Sequence, residues 1–488
     1  MTKNIYIIGS GFSSLSASCY LAKAGYNVTV LEKNKTLGGR ARQYKKDGFT
    51  FDIGPSWYWM PDVFERFFAD FNKKPSDYYT LDKLSPGYEV YFGKNDSTTI
   101  SDKLDEIYKM FEKEEQGSAK HLKKFLDSAK ENYETAIKDL VYRPGISPLE
   151  LVTTKTIARV SQFFSTIRKQ VRKDIKSDKL IQILEFPVLF LGAKPSNTPA
   201  FYNFMNYADF GLGTWHPRGG MYKVIEGMVT LATSLGVQFK VNANVEKIIT
   251  DDNKNVNGLL VNGEKITTDL VLSGADYHHT ETLLEENLRQ YSEKYWSKKT
   301  FAPSSLLFYV GFDKKIKNAS HHTLFFDTDF DKHAEEIYDN PTWPSAPLFY
   351  ANFTSMTDTT SAPTGKEAGF FLIPIAPGIE DTESLRDEYF DKIMDRFEKM
   401  TNQKVKDKVL FKKSFCVQDF KEDYNSYKGN AYGMANTLLQ TAFLRPNLKS
   451  SKVKNLFFTG QLTVPGPGVP PALISGKIVS DLIIKKQK

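Results

Sequence analysis

Residues Asn4 to Arg42 read NIYIIGSGFSSLSASCYLAKAGYNVTVLEKNKTLGGRAR. An apolar run, Ile5 to Ile8, stops at Gly9-Ser10-Gly11-Phe12-Ser13-Ser14, a small-residue helical segment follows to Ala24 and Gly25, and a second apolar run, Val28 to Leu31, ends at Glu32. The pattern predicts a strand, a tight glycine turn, a helix and a second strand, the βαβ unit of a dinucleotide site. Gly9 permits the sharp turn, and Gly11 removes the Cβ that would hold the backbone off a pyrophosphate. The unpaired N–H groups at the start of the helix that follows face negative charge. Glu32, about 20 residues on, sits where a carboxylate takes hydrogen bonds from a ribose diol. Ser14 replaces the third glycine of the fingerprint, at a position that serves helix-to-strand packing. Gly38-Gly39-Arg40 favours FAD over NAD: two glycines fold a loop back under the pyrophosphate, and Arg40 brings a cation to it.

Working outward, Phe49, Phe51 and Ile53 alternate as in a strand. Gly54-Pro55-Ser56 then turns, bringing backbone to the cofactor or forming a plain β-turn. GTWHPRGGM, residues 213–221, is expected to return the chain to the cofactor, with His216 either functional or a hydrogen-bonded structural histidine. VQFKVNANVEKIIT, 237–250, reads as one strand that sets Val245 beside the adenine or its ribose. Asn262-Gly263 signals a hairpin. Leu270 to Leu272 rejoins the first sheet as a parallel strand, so the nucleotide domain is discontinuous. LFFTGQLTVPGPGVPPALISGKIVSDLI, 456–483, predicts a strand ending at Gly460, a turn through Gly466 and Gly468, and a helix starting near Pro470 and Pro471, where prolines suit a first turn. That helix start is expected to aim N–H groups at the pyrimidine end of a flavin.

The 488 residues suggest about three domains. With 41% apolar and 25% charged residues the chain falls in the soluble globular class. An aromatic content of 14% points to large cores or a long apolar channel. Cys19 and Cys416 form no disulfide or metal pattern, which fits a reducing compartment. No leader is expected before the first strand, and no apolar run reaches the roughly 18 residues of a membrane span. His278-His279 and His321-His322 lack ligand spacing, so no metal is expected. Leu104 to Leu140 has helical periodicity. From Leu151 to Leu180, Ile157, Val160, Phe164, Ile167, Val171 and Ile175 predict one helix with an apolar face. It carries Lys155, Arg159, Arg168, Lys169, Arg172, Lys173, Lys176 and Lys179 against Asp174 and Asp178, a net of +6 in a chain of net +7. Such a helix lies on an anionic lipid surface or packs on the protein with a solvated basic face, and no recognition motif supports nucleic acid. The aromatic stretch FPVLFLGAKPSNTPAFYNFMNYADFGLG, 186–213, suits a passage for an apolar substrate drawn from lipid. Residues 280 to 430 are expected to build a second sheet, with Phe308, Tyr309 and Phe349 walling a cavity or packing a core.

Gly9-Ser10-Gly11, Glu32, Gly38-Gly39-Arg40, FDIGPS, GTWHPRGG, Asn430-Ala431-Tyr432-Gly433, Arg445-Pro446 and TGQLTVPGPGVPPALISGK together resemble the bacterial-type carotenoid desaturases, the phytoene desaturase family of the flavin amine oxidase-like superfamily. The resemblance covers essentially the whole chain. Ser14 and Gln461, where relatives often have glycine and alanine, depart from it. The resemblance implies stepwise dehydrogenation of phytoene toward lycopene, with FAD as the only redox cofactor and oxygen or a membrane quinone taking the electrons. Residues and resemblance together place FAD against Gly9, Gly11, Phe12, Ser13, Glu32, Gly39, Arg40, Gly54, Pro55, Ser56, Val245, Gly460, Gly468 and Val469, and single out no catalytic side chain. The expected architecture is α/β. It comprises a discontinuous Rossmann-like FAD-binding domain (1–75, 213–280, 445–488), a mixed-sheet substrate domain (281–444 with part of 76–103) and a helical membrane-facing subdomain (104–212). The expected location is cytoplasmic, peripheral to the inner face of the membrane. Three alternatives stand: desaturation of another, hydroxylated carotenoid, a redox-neutral isomerase or saturase, and a non-catalytic prenyl-binding protein.

Overall fold

A computed structural model describes residues 3–138, 140–157 and 159–487. Five parallel strands form one sheet in the order Leu456–Phe458, Leu270–Ser273, Asn4–Ile8, Asn27–Leu31, Gln238–Lys240. The apolar runs of its central strands are buried on both faces, as parallel strands covered by helices must be. Helix Phe12–Lys23 packs between Tyr222–Ser234 and the C-terminal helix Val469–Gln487. Ser16 Oγ donates to the Leu473 carbonyl at 2.8 Å. The two terminal helices come this close because Gly476 has no side chain: a Cβ there would lie 2.5 Å from the Ser13 carbonyl oxygen. The two ends of the sequence thus share one layer.

Residues 237–250 are two strands in two sheets, not one. Gln238–Lys240 belongs to the parallel sheet, and Asn242 turns the chain in the left-handed region, which asparagine tolerates. Val245–Thr250 then opens an antiparallel sheet with Val256–Val261 and Glu264–Thr267, closed by the Asn262-Gly263 turn with both residues at positive φ.

A seven-stranded sheet runs Val409–Phe415, Ser304–Phe312, Glu367–Ile375, Phe349–Asn352, His322–Phe325, Tyr88–Gly93, Asp96–Ile100. It is antiparallel except where His322–Phe325 meets Tyr88–Gly93. Strand alternation sets neighbours on opposite faces. Phe308 therefore packs beneath the sheet on Phe390 of helix Glu383–Thr401, with ring centres 5.1 Å apart, and walls no cavity. Tyr309 points the other way and donates its hydroxyl to the Ile53 carbonyl at 2.6 Å.

The helical region is more broken than its periodicity predicts. Leu104–Glu114 and Ser118–Lys138 are separate helices on either side of Gly117. The single helix expected over 151–180 is instead Thr154–Ile157, Val160–Phe163, Ile167–Asp174 and the start of Asp178–Glu185. Side chains that claim its backbone amides stop it. Thr166 caps the Lys169 amide, and the Glu115 carboxylate accepts from the amides of Lys176 and Ser177. Its apolar residues divide: Ile167, Val171 and Ile175 are buried, whereas Ile157 and Phe164 are exposed. Its cations divide too. Arg168 and Arg172 pair with Glu185 and Asp331, Lys179 with Asp96 and Arg159 with Glu131, while Lys169 and Lys173 stay exposed. The side chains of Lys155 and Val160 lie outside the described residues. No helix among the described residues is long and apolar enough to cross a membrane.

Candidate functional site

One cavity of about 710 Å³ runs from the ends of the parallel strands, along the face of the seven-stranded sheet opposite Phe390, into the helical region. Gly9, Gly11, Phe12 and Ser13 line it from the first turn, Glu32 from the end of the second strand, and Gly39 and Arg40 from the following loop. Gly54, Pro55 and Ser56 line it after strand Phe49–Asp52, Val245 after the break in 237–250, and Gly460, Gly468 and Val469 from the C-terminal turn. Residues far apart in sequence meet because the loops at one end of the parallel sheet converge.

The first turn has the form a diphosphate needs. Gly9 has φ 86°, and a Cβ on Gly11 would meet no protein atom within 4 Å, so that face of the turn opens on the cavity. No side chain caps helix Phe12–Lys23 and no acidic residue stands in its first turn, leaving its amides and partial positive charge for a ligand. Ser14 is buried against Gly274 and accounts for the missing third glycine, since a Cβ on Gly274 would fall 2.0 Å from Ser14 Oγ.

Arg40 is the cation of this site. Its guanidinium lies 4.9 Å from the Tyr424 ring and donates weakly to Ser426 Oγ and the Asn430 carbonyl, at 3.3 and 3.4 Å. Its Nε is buried without a partner, and among the described residues it has no ion pair. Burial lowers its pKa, with Tyr424 and Asp276 opposing. A half-buried cation with an orphaned, buried donor fits an anionic group. Glu32 is held differently. Its oxygens accept from Ser10 N and Oγ at 3.1 and 2.6 Å and from Asn34 N and Nδ2 at 2.9 and 3.0 Å, which fixes the carboxylate at the cavity edge.

The C-terminal turn offers fewer donors than expected. Pro470 and Pro471 have no N–H, and the Ala472 amide already donates to the Gly468 carbonyl at 3.0 Å. The amides of Gly468 and Val469 remain. Buried Arg445 braces this turn, donating to the Gln461 and Met434 carbonyls at 3.1 and 2.8 Å, and burial lowers it to about 10.

GTWHPRGG does not return to the cavity. Gly219 donates to Asp358, and the amides of Met221 and Tyr222 donate to Asp52 at 2.7 and 3.2 Å, so the segment anchors the FDIGPS strand from behind. Burial raises the Asp52 carboxyl to about 6, with the Met221 amide and His216 opposing. His216 is a buried partner of Asp358. His278 and His279 sit on helix Tyr277–Thr282, bonded to Glu293 and Asn425.

The rest of the wall is apolar. The stretch singled out for its aromatics supplies Phe186, Phe201, Tyr202 and Phe204, and Phe349 lines the cavity as expected. Trp57, Phe163 and helix Phe330–Tyr338, which also line it, carry no sequence signal beyond being apolar. Toward the helical region the cavity is bordered by Arg143, Gly145, Ser147 and Glu150 and by 441–444. Beside them, Ile146, Leu149, Val152 and Leu439 are left exposed, Leu149 by 76% and Leu439 by 75%.

The model of the family described as flavin containing amine oxidoreductase matches residues 12–484. A carotenoid 3,4-desaturase of Haloarcula japonica is 41% identical over 99% of this chain and 98% of its own length. A zeta-carotene-forming phytoene desaturase of Myxococcus xanthus is 29% identical over 99% of this chain and 94% of its own. Among solved structures, an oxidoreductase of Methanosarcina mazei superposes with a TM-score of 0.62 at 17% identity, over 98% of this chain and 99% of that one, which shows the fold. The chain belongs to the flavin containing amine oxidoreductase family, and its relatives there include carotenoid desaturases.

Proposed function

We propose that this FAD-dependent oxidoreductase dehydrogenates a long acyclic isoprenoid, phytoene, stepwise toward lycopene. The observation that carries the reading is the continuity of the cavity. A dinucleotide cradle with an unpaired cation opens directly into an aromatic passage, with exposed aliphatic side chains at its far border. Such a shape suits a water-insoluble chain whose CH–CH bonds are threaded past one redox centre.

The roles divide along the cavity. Gly9, Gly11, Phe12 and Ser13 hold the pyrophosphate with Gly39 and Arg40. Glu32 and Val245 hold the adenosine, and Gly54, Pro55, Ser56, Gly460, Gly468 and Val469 surround the ring. FAD, when bound, supplies the hydride acceptor. The aromatic wall orients the polyene and excludes water, and oxygen or a membrane quinone receives the electrons. The parallel sheet and its helices form the FAD-binding domain (1–75, 213–280, 445–488), the seven-stranded sheet the substrate domain (281–444 with part of 76–103), and 104–212 the face toward lipid. The border residues Ile146, Leu149, Val152 and Leu439, with the exposed Ile157 and Phe164 of the helical region, rest on the bilayer surface. These exposed apolar residues, more than the basic residues of 151–180, four of which are paired, support peripheral attachment to the cytoplasmic face.

Expression in a phytoene-accumulating bacterium tests the reading. Lycopene or a yellow intermediate is expected, and unchanged phytoene beside an FAD-loaded protein refutes it. A hydroxylated carotenoid is the second reading. One cavity-lining hydroxyl, Tyr338 Oη, is buried without a hydrogen-bond partner among the described residues and suits a polar end group.

A further inference from the structure

A string of polar side chains leads from the cavity wall into the protein. Ser56 Oγ lies 2.9 Å from Tyr350 Oη, and Tyr350 Oη lies 2.6 Å from His322 Nδ1. Asn352 Nδ2, 3.2 Å from the same nitrogen, makes Nδ1 the acceptor and leaves the ring proton on Nε2. His322 is stacked on Trp57 with ring centres 4.0 Å apart. It is fully buried, and its Nε2 has no hydrogen-bond partner. His321, 4.5 Å away centre to centre, also has an orphaned Nε2, while its Nδ1 lies 2.6 Å from Thr357 Oγ1. His216 follows at 4.8 Å, with its Nε2 3.3 Å from Asp358 Oδ2. Asp358 sits in a loop, also bonded to Gly219 and Thr360 and near exposed Arg218, and Asp52 is the second carboxylate facing His216. Buried polar atoms are seldom left unpaired, and two orphans on neighbouring rings are the setting for a shared water.

Dehydrogenation of a CH–CH bond must dispose of a proton as well as a hydride. When the hydride leaves an allylic carbon for FAD, the remaining cation is delocalised and its neighbouring C–H becomes acidic enough for a hydroxyl to receive the proton. We infer that Ser56 receives that proton and that Tyr350, His322 and His321 relay it to exposed Thr357, beside Asp358, and so to solvent. The electrons of the broken C–H bond become the new C=C. Ser56 passes its own proton to Tyr350, and Tyr350 passes its own to His322 Nδ1. The Nε2 proton passes through the shared water to His321 Nε2, and the His321 Nδ1 proton goes to Thr357 Oγ1 and solvent, so each hydroxyl is restored and both rings exchange tautomers. Ser56 touches the reacting carbons, and the others act through it. Burial holds His321 and His322 well below the ordinary histidine range, which favours transit over storage of the proton.

The inference rests on the desaturase reading, and two measurements keep the two apart. In the first, the FAD-loaded full chain is mixed anaerobically with phytoene in liposomes and loss of oxidised-flavin absorbance is followed. Tyr350→Phe and His322→Gln are each expected to slow it about a hundredfold and to change its solvent deuterium isotope effect, with FAD content and melting temperature as in wild type. Wild-type rates and isotope effects in both variants overturn the relay. The second needs no substrate, and it decides the relay even where wild type leaves phytoene untouched and the substrate reading fails. His333 is similarly buried, but its Nδ1 accepts from the Leu348 amide at 3.1 Å and its Nε2 donates to the Pro374 carbonyl at 2.8 Å. In 15N-histidine spectra taken in D2O, the ring protons of His321 and His322 are expected to exchange much faster than that of His333. Equal protection of all three overturns the relay.

Discussion

Arg40→Met separates what the cation does for the ligand from what it does for the fold. Methionine keeps much of the apolar stem that packs beside Tyr424 and removes the charge and its orphaned Nε. Hydrogen bonds to a charged group contribute about 1.5–3 kcal/mol, so FAD affinity is expected to fall about 10- to 150-fold. The apoprotein responds with the opposite sign. In it Arg40 is a desolvated cation without an ion pair among the described residues, so its removal leaves the melting temperature unchanged or raises it. Titration of apoprotein with FAD, read by quenching of flavin fluorescence, gives the first quantity. Thermal melts with and without FAD give the second. Arg40→Lys, which keeps the charge and loses the fork, should fall between wild type and Met. Undiminished FAD affinity in Arg40→Met, or a clear drop in apoprotein stability, would refute the assignment of Arg40 to the diphosphate.

Gly476→Ala sets a methyl group 2.5 Å from the Ser13 carbonyl oxygen. It should lower stability by about 1–3 kcal/mol, read as an earlier thermal midpoint together with weaker FAD retention, because the displaced helix carries the first turn. Asp209 is buried with one hydrogen bond, from Tyr88 at 2.8 Å, and burial pushes its carboxyl up to about 8. The folded state therefore holds a proton that the unfolded chain releases near pH 4. The stability that this proton confers is full below about pH 4 and is lost as pH rises through 8. Asp209→Asn should flatten that part of the melting-temperature profile, and an unchanged slope would count against a neutral Asp209. Aspartate at Leu149, Phe164 and Leu439 together should abolish sedimentation with liposomes at unchanged FAD content. Retained sedimentation would move the lipid-binding surface elsewhere.

Local chemistry made the nucleotide end legible. Gly9, Gly11 and Gly39 occupy conformations or open faces that only short-range steric rules dictate, and those rules act within a few residues. The same holds for Asn262-Gly263 and for the prolines at the start of the last helix. Where partners come from far along the chain, periodicity misled. The residues of 151–180 fit one helix in isolation, but Glu115 and Thr166 claim the amides that would continue it. GTWHPRGG looked like a ligand loop because glycines mark close approach of any kind, and here what approaches Gly220 is the Asp52 carboxylate. Phe308 and Tyr309 are adjacent aromatics, and only the register of Ser304–Phe312 tells which of two cores each one enters. Two pairs of adjacent histidines carried no metal spacing, and the proximity of His216 to His321 exists only once the FDIGPS strand and the seven-stranded sheet are docked.

Proton disposal also bears on which reaction this scaffold performs. A redox-neutral isomerase returns the proton to the same carbon skeleton, and a saturase must bring one in, whereas a desaturase must send one out at each step. An apolar cavity favours return, since a proton held beside a delocalised cation in low dielectric has no solvent to leave to. A desaturase in such a cavity therefore needs an exit, and Ser56 and Tyr350 are hydroxyls on this wall that connect inward to other titratable groups. Tyr338 Oη, by contrast, has no hydrogen-bond partner among the described residues. Cutting the string at Tyr350 should then change the kind of product as well as the rate. In D2O, Tyr350→Phe should return deuterium to recovered substrate and shift double bonds within it. Wild type should release desaturated product with little deuterium in the substrate that remains. Mass spectrometry of the recovered carotenoids reads both, and equal deuterium in the two pools would mean that the proton leaves by another way.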